Sequence, residues 1–350
     1  MLRNGTRTSL YDVDLDLPHG RDNHSLDGWI TNTTPHAFSI VFVNPDFLDA
    51  AIEKVGRLRL RQHYVIACWF WELETVPEAW HPAVELVDEI MVASTFMANA
   101  FRQVTDKPIL RVPIPVEEPL YSRLERSDFG LEEDRFIFLC SFDFDSWLTR
   151  KNPLAVVEAF LRAFPSDRDD VRLLIKSSNG DRYPRELLSL LETTSKDPRI
   201  MVRDEIIEKP HFTALQRCCD AYVSLHRSEG FGLALAECMA MGIPVIATQW
   251  SGNLEFMDTD NSVLIPCVTK RVGTGEYPHA DGAYWADPSV TVAAEAMRRL
   301  ADERGEARLI GLRGQCDVRA RLAPEKAAAA IMERIEFLGR AVKERKIDNA

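Results

Sequence analysis

The sequence is short of the features that mark several large protein classes. No stretch approaches the roughly 18 apolar residues of a membrane-crossing helix, and the opening MLRNGTRTSLYDVDLD lacks the apolar centre of a secretion signal. A cytoplasmic protein is therefore expected. Basic residues are scarce beside acidic ones: 42 Lys and Arg against 54 Asp and Glu give a formal charge of -12. That balance argues against general affinity for nucleic acid, which rests on Lys and Arg neutralising phosphates. It leaves room for one small phosphorylated ligand. The seven cysteines are odd in number, contain no Cys-x-x-Cys pair and fall mostly in apolar segments. Reduced, packed thiols are expected, not disulfides or a zinc site. Asn32-Thr33-Thr34 matches a glycosylation sequon, which a cytoplasmic chain makes accidental. There is no internal repeat and no low-complexity tract.

What is present is an ordinary globular composition, 46% hydrophobic and 27% charged, over 350 residues, a length suited to two domains. Residues 1 to 35 are polar, with one short strand expected near Tyr11 to Leu17. Strands are then expected at Phe38 to Val43, Tyr64 to Phe70, Glu89 to Ala93 and Ile109 to Ile114, and Ser94 caps a helix over Thr95 to Gln103. Pro113, Pro115 and Pro119, with Glu117 and Glu118, read as a stiff exposed linker and put the domain boundary near 117 to 133. The second half opens with a strand at Phe136 to Ser141, the loop FDFDSWLTRK, and a helix begun by Asn152-Pro153 with the stripe Leu154, Val157, Phe160, Leu161 and Phe164. Strands at Val171 to Lys176 and Ile200 to Arg203 flank a helix at Pro184 to Glu192. Gly273 to Asp287 has no period and reads as an irregular loop. Helices follow at 290 to 302 and 323 to 345, the last with Ile331, Ile335, Leu338 and Val342 on one face. Short strands alternating with helices build parallel, doubly wound sheets, so the fold class is α/β.

The most informative stretch is DAYVSLHRSEGFGLALAECMAMGIPVIATQWSGNLEFM, residues 220 to 257. Asp220 to Leu225 reads as a buried strand, His226 opens a polar loop, and Gly230-Phe231-Gly232 lets the backbone approach a ligand closely. A helix over Leu233 to Met241 follows, stopped by Gly242 and Pro244, then a strand at Val245 to Ala247. A strand feeding a glycine loop and a helix start offers free amides and a positive dipole end, which suit a phosphate. Glu229 and Glu237 are eight residues apart, one at the mouth and one about a turn down the helix, where they can hold two parts of one ligand. After Ala247 the loop Trp250-Ser251-Gly252-Asn253 leads into a short helix whose amides are candidates for the same cleft.

SEGFGLALAECMAMGIPVIAT, with its E(x7)E spacing, resembles the donor-site signature of the family 4 retaining glycosyltransferases, which have the GT-B fold. The segment FWELETVPEAWHPAVELVDEIMVASTFMANAFRQVTDKPILRVPIPV is similar to the amino-terminal domain of a bacterial subgroup of that family. The resemblance implies two Rossmann-like doubly wound domains facing across a cleft. Residues 1–120 would be the acceptor side, 134–322 the donor domain, and 323–350 a terminal helix crossing back. It also implies that the first domain lacks its usual opening strand and glycine loop. Glu229 is then associated with the donor sugar, Gly230, Phe231, Gly232 and Leu233 with the diphosphate, and Glu237 with the ribose hydroxyls, for which a carboxylate is a natural acceptor. Lys151 matches the lysine that faces the diphosphate. The arginine expected earlier in that loop is replaced by Phe142-Asp143, leaving Arg150 or nothing to substitute for it. The reaction implied moves a sugar from a nucleotide-diphosphate sugar, the co-substrate, to a hydroxyl of a saccharide or glycolipid, the latter associating the protein peripherally with a membrane. It implies no cofactor and no metal ion.

Several residues carry two readings. Lys176, at a strand end near the expected crevice, is either a ligand-facing cation or a solvated lysine. His81 and His226 are acid-base candidates weighed against structural or exposed roles, and Glu72 is a candidate on the acceptor side. Asp12-Val13-Asp14 and Asp143-Phe144-Asp145 are D-x-D strings of the kind that hold a metal in another glycosyltransferase fold, but the second falls where phosphate is expected and would bring unfavourable charge. The competing reading is a catalytically silent nucleotide-sugar-binding or scaffold protein of the same fold.

Overall fold

The computed structural model describes residues 5–15, 24–117 and 120–348, with side chains to 340. The chain divides into two compact units. The first holds residues up to Trp71, then Thr75–Val112 and the stretch from Ala327. The second holds Glu72–Glu74 and Pro113–Lys326.

In the first unit β1 (Phe38–Val41) leads through helices α1 (Pro45–Val55) and α2 (Arg57–Leu60) to β2 (Tyr64–Cys68). Helix α3 (His81–Glu85), strand β3 (Glu89–Val92), helix α4 (Thr95–Phe101) and strand β4 (Ile109–Arg111) follow. The strands pair in parallel in the order β1-β2-β3-β4. As the sequence predicts, Ser94 caps α4, its hydroxyl accepting from the Met97 amide at 3.3 Å. Ile66, Cys68, Met91 and Val112 form an apolar cluster, and Ala327, Ala330 and Ile331 of the terminal helix pack on it. Of the expected stripe, Leu338 is buried and Val342 lies outside the described side chains. The leader strand near Tyr11 to Leu17 is not formed over residues 11–15, while Asp16 and Leu17 lie outside the described residues. Instead Leu10 bridges Ile30.

The second unit carries a parallel six-stranded sheet among the described residues. Its order is β10-β9-β8-β5-β6-β7, where β5 is Phe136–Asp143, β6 Val171–Ser178, β7 Ile200–Asp204, β8 Ala221–Ser224, β9 Val245–Thr248 and β10 Val263–Ile265. The central β5 reads FIFLCSFD and is buried along most of its length because both faces are covered by helices. Helices α5 (Leu148–Lys151), α6 (Pro153–Ala163), α7 (Pro184–Thr194), α8 (Lys209–Arg217) and α9 (Leu233–Ala240) make the crossovers. On α6 the buried face is Val156, Val157, Ala159, Phe160 and Ala163. Leu161, expected in that stripe, is exposed, because the buried sector is centred on Val156, Phe160 and Ala163 and leaves Leu161 at its edge. Asn152 occupies the cap position of α6 but makes no side-chain cap. It sits in the left-handed region at φ 54° and its amide donates to the Leu225 carbonyl at 2.8 Å.

Three expectations need correction. The stretch 113–133 is exposed over much of its described length, but it is anchored and not a free linker: Val116 is buried, its amide donates to the Leu322 carbonyl at 2.9 Å, and Arg126 pairs with Asp220 at 2.8 Å. Glu118 and Pro119 of that stretch lie outside the described residues. Gly273 to Asp287 is not wholly irregular, because its end joins an antiparallel ribbon of β11 (Cys267–Arg271) and β12 (Tyr284–Pro288). Between α10 (Val290–Asp302) and α12 (Pro324–Asp348) stands α11 (Arg304–Arg321), which sequence periodicity did not reveal. Its buried face, Ala307, Ile310, Gly311, Gly314 and Val318, is built from small residues, and a Cβ at Gly311 would meet the Gly242 carbonyl oxygen at 2.1 Å.

No helix among the described residues is long and apolar enough to cross a membrane. All seven cysteines are free.

Candidate active site

The carboxyl ends of β5 and β8 deliver two loops that are laced together. From the first, Asn152 donates to Leu225, and the Arg150 carbonyl accepts from the Arg227 amide at 2.8 Å. Helix α5, one turn long, is bracketed by Trp147 and Asn152, both at positive φ (66° and 54°), a backbone that non-glycine residues adopt at some cost. The result places Arg150 and Lys151 side by side against the second loop.

Glu229 is the centre of this arrangement. Lys151 Nζ donates to its Oε1 at 2.5 Å, and Arg150 Nη1 lies 3.3 Å from its Oε2. Burial opposes the carboxylate's charge, but the attraction of Lys151 and Arg150 outweighs it and holds the group ionised, with a pKa lowered to about 2. The Glu229 backbone is clasped from behind. Its amide donates to Ser251 Oγ at 2.9 Å and its carbonyl accepts from the Gly252 amide at 2.9 Å. A Cβ at Gly252 would stand 2.0 Å from the Gly230 oxygen, so only glycine permits this approach.

Gly232 caps α9 in a left-handed conformation (φ 92°), and a Cβ there would meet Leu235 at 2.8 Å. The Leu235 and Ala236 amides of α9 donate back to the Gly232 carbonyl, so Leu233 and Ala234 carry the amides that helix geometry leaves over at this end. Phe231 is turned inward onto Phe256, ring centroids 5.1 Å apart, while Leu233 is exposed. At its other end α9 closes with Gly242 at φ 79° and the Ile243 amide donating to the Cys238 carbonyl, a left-handed cap as the sequence predicts. Glu237 pairs with Lys209 of α8 at 2.6 Å, and Lys209 is 58% exposed and so displaceable.

Other expected site residues are committed elsewhere. Lys176 is buried, donating to the Ser177 carbonyl at 2.8 Å and to the Glu205 carbonyl, and burial lowers its pKa. It is neither the solvated lysine nor visibly aimed at a ligand. Asn253 is fully buried, bonded to Thr248 and to His226. His226 is also fully buried, with Nδ1 3.2 Å from Ser224 Oγ, and desolvation lowers its pKa, which favours the neutral ring. Ser251 and Asn253 thus build the back wall of the Glu229 loop. His81 is an exposed residue at the start of α3 in the first unit. Of the D-x-D string at 143, Asp143 accepts from Asn179 Nδ2 and the Asp145 amide, and Asp145 pairs with Arg182 at 2.9 Å. Among the described residues no group of three or more His, Cys, Asp or Glu is placed to hold a metal ion.

The structure adds partners that carry no local sequence signal. Glu72, expected on the acceptor side, accepts a hydrogen bond from the Tyr277 hydroxyl at 2.6 Å through Oε2, and its Oε1 lies 4.0 Å from Arg150 Nη2. Its carbonyl accepts from Ser228 Oγ. Tyr277 belongs to the stretch Gly273 to Asp287, rich in glycine and aromatic residues and without periodicity.

Residues 135–275 match the family model described as Glycosyl transferases group 1. The match takes in the loops after β5 and β8 with Lys151 and Glu229, and it leaves out Glu72 and Tyr277. No curated protein matches the chain. Among solved structures, sucrose-phosphate synthase from Thermosynechococcus elongatus is similar at 18% identity and a TM-score of 0.63, covering 87% of this chain and 73% of that one. HepE from Anabaena, in complex with UDP and glucose, is similar at 15% identity and 0.61, covering 87% and 78%. The pneumococcal O-GlcNAc transferase GtfA, in complex with UDP and GlcNAc, is similar at 15% identity and 0.58, but this chain covers only 57% of its length. These likenesses show the fold, an α/β chain of two Rossmann-like units as in GT-B proteins.

Proposed function

We propose that this chain is a retaining glycosyltransferase of family 4 that transfers a sugar, a hexose in the first instance, from a nucleoside-diphosphate sugar to an acceptor hydroxyl without a metal ion. The observation that carries this is the ionised Glu229 carboxylate, held beside Lys151 at the loop that opens helix α9. The group 1 match over these residues supports it, as do the UDP and sugar complexes recorded for HepE and GtfA.

In this reading negative charge grows on the departing diphosphate, and Lys151 together with the first amides of α9 stabilises it where it develops. Glu229 orients the sugar and supports positive charge near its ring. The acceptor enters on the face from which the diphosphate leaves, the leaving phosphate taking its proton, which accounts for retention without a protein nucleophile. Glu237 exchanges Lys209 for the ribose hydroxyls. The reduced cysteines suit a cytoplasmic setting. A saccharide or glycolipid acceptor places the reaction in polysaccharide or glycoconjugate synthesis.

The test is donor hydrolysis and transfer over a panel of UDP, GDP and dTDP sugars, with and without EDTA. Turnover of one donor that persists in EDTA and is lost in Glu229→Gln is expected. Donor binding without turnover, indifferent to that substitution, would mean the silent sugar-nucleotide-binding protein instead.

A further inference from the structure

Two cations face Glu229, and they are held in different ways. Arg150 is 5% exposed and its guanidinium is engaged on several sides. Nε donates to the Ser146 carbonyl at 3.2 Å and Nη1 to the Ser228 carbonyl at 2.9 Å. Nη1 also faces Glu229, Nη2 faces Glu72, and the Tyr277 ring lies 5.8 Å from the guanidinium carbon. Lys151 is 20% exposed, and its ammonium, which has three donors, makes one hydrogen bond here, to Glu229.

We infer that Arg150 is a positioning residue for Glu229, pinned by Glu72 and Tyr277, so that Lys151 is the cation of this pair that transfers from Glu229 to the ligand. The inference rests on the donor-site reading above and deepens it. Its physical basis is charge balance. Arg150 and Lys151 are matched by Glu229 and Glu72, while His226, the other basic group near Glu229, is buried and favours the neutral ring. When Lys151 moves to an anionic ligand, Glu229 would be left as an unpaired buried charge, which is strongly unfavourable. Arg150 prevents this only if it stays. Glu72 and Tyr277 make it stay, since the Tyr277 hydroxyl fixes one carboxylate oxygen of Glu72 and leaves the other toward Nη2. Thr149, next to Arg150, is tied to the same loop by its hydroxyl donating to the Glu276 carbonyl at 3.2 Å. Arg150 therefore does not replace the arginine missing at Phe142-Asp143, and the diphosphate meets one side-chain cation from this loop.

The test uses Lys151→Gln, Glu72→Gln, Tyr277→Phe and Arg150→Lys in the full chain. Calorimetric titration with UDP, GDP, dTDP and ADP is expected to show Lys151→Gln weakening the nucleotide that binds tenfold or more. Glu72→Gln, Tyr277→Phe and Arg150→Lys should change that affinity less than threefold while lowering kcat for the donor tenfold or more at steady KM. Equal loss of affinity in Arg150→Lys and Lys151→Gln would overturn the inference, as would an unchanged kcat in Glu72→Gln. If no nucleotide binds the wild-type protein, the donor reading and the transfer of Lys151 fall together, and the positioning of Glu229 through Arg150 is tested by itself by urea unfolding of Glu72→Gln, Glu229→Gln and the double variant. Non-additive effects mean the two carboxylates are coupled through Arg150, and additive effects refute that coupling.

Discussion

Two buried carboxylates, one in each unit, are both paired with arginine, yet they are built to opposite ends. Glu89, on β3, is 1% exposed and accepts from Arg334 through Nε at 2.9 and 3.0 Å and Nη2 at 2.8 Å, with the Tyr64 hydroxyl adding a bond at 3.0 Å. Burial and then that carboxylate push the Tyr64 phenol up to about 12, so the hydroxyl stays a donor. Both oxygens of Glu89 are satisfied, three hydrogen bonds coming from the one guanidinium, and the set fastens the terminal helix to the first unit's sheet. Glu229 has one deeply buried partner, Arg150, and one, Lys151, that holds it by a single hydrogen bond. A closed ion pair of the first kind gives stability and register. An open one stores an ionised carboxylate and a cation ready for a third party.

Breaking each pair should expose that difference. The largest expected effect is Glu229→Gln, with donor turnover falling about 10²–10³-fold, the range for removing a preorganised electrostatic group, together with a loss of stability at neutral pH because Arg150 stays buried without its carboxylate. Arg334→Met should cost stability alone. Leaving Glu89 buried and unpaired costs about 3–5 kcal/mol by urea unfolding, whereas the double change Glu89→Met with Arg334→Met should be nearly neutral. The third effect is on acid stability. The Glu229 pKa of about 2 in the folded chain lies below the ordinary 4.5, so its contribution is present above pH 4.5 and is lost as the pH falls from 4.5 toward 2. That contribution is on the order of 3 kcal/mol. In Glu229→Gln this part of the stability curve should flatten, and an unchanged acid slope would contradict the ion pairing. The smallest effect is Lys151→Gln, about 1 kcal/mol or less by unfolding, because Arg150 remains to face the carboxylate.

The same comparison explains what could be read from the sequence. The strands and the E(x7)E helix were legible because burial on both faces writes continuous apolar runs such as FIFLC and AYVSL, and because Gly232 and Gly242 sit where the backbone demands them. The roles of side chains at the site were legible only where a local motif carried them. Lys151 and Glu229 are 78 residues apart, and Glu72 and Tyr277 are 205 apart, distances over which one sequence contains no pairing signal. Lys176 looked like a strand-end cation because position alone cannot tell whether a carbonyl such as that of Glu205 awaits its ammonium. Helix α11 escaped notice for another reason. Gly311 and Gly314 stand at spacings where large apolar residues were sought, and small size was itself the packing signal.

The contact of Gly311 with Gly242 has a mechanical consequence. Backbone meets backbone there without an intervening side chain, so the helix bearing Glu237 has a hard stop behind it and no compressible cushion. An anion settling against the amino end of that helix pushes on something that cannot recoil. Under the proposed donor reading, what yields on ligand capture is the side chains in front, Lys151 and Lys209, and not the scaffold that carries them.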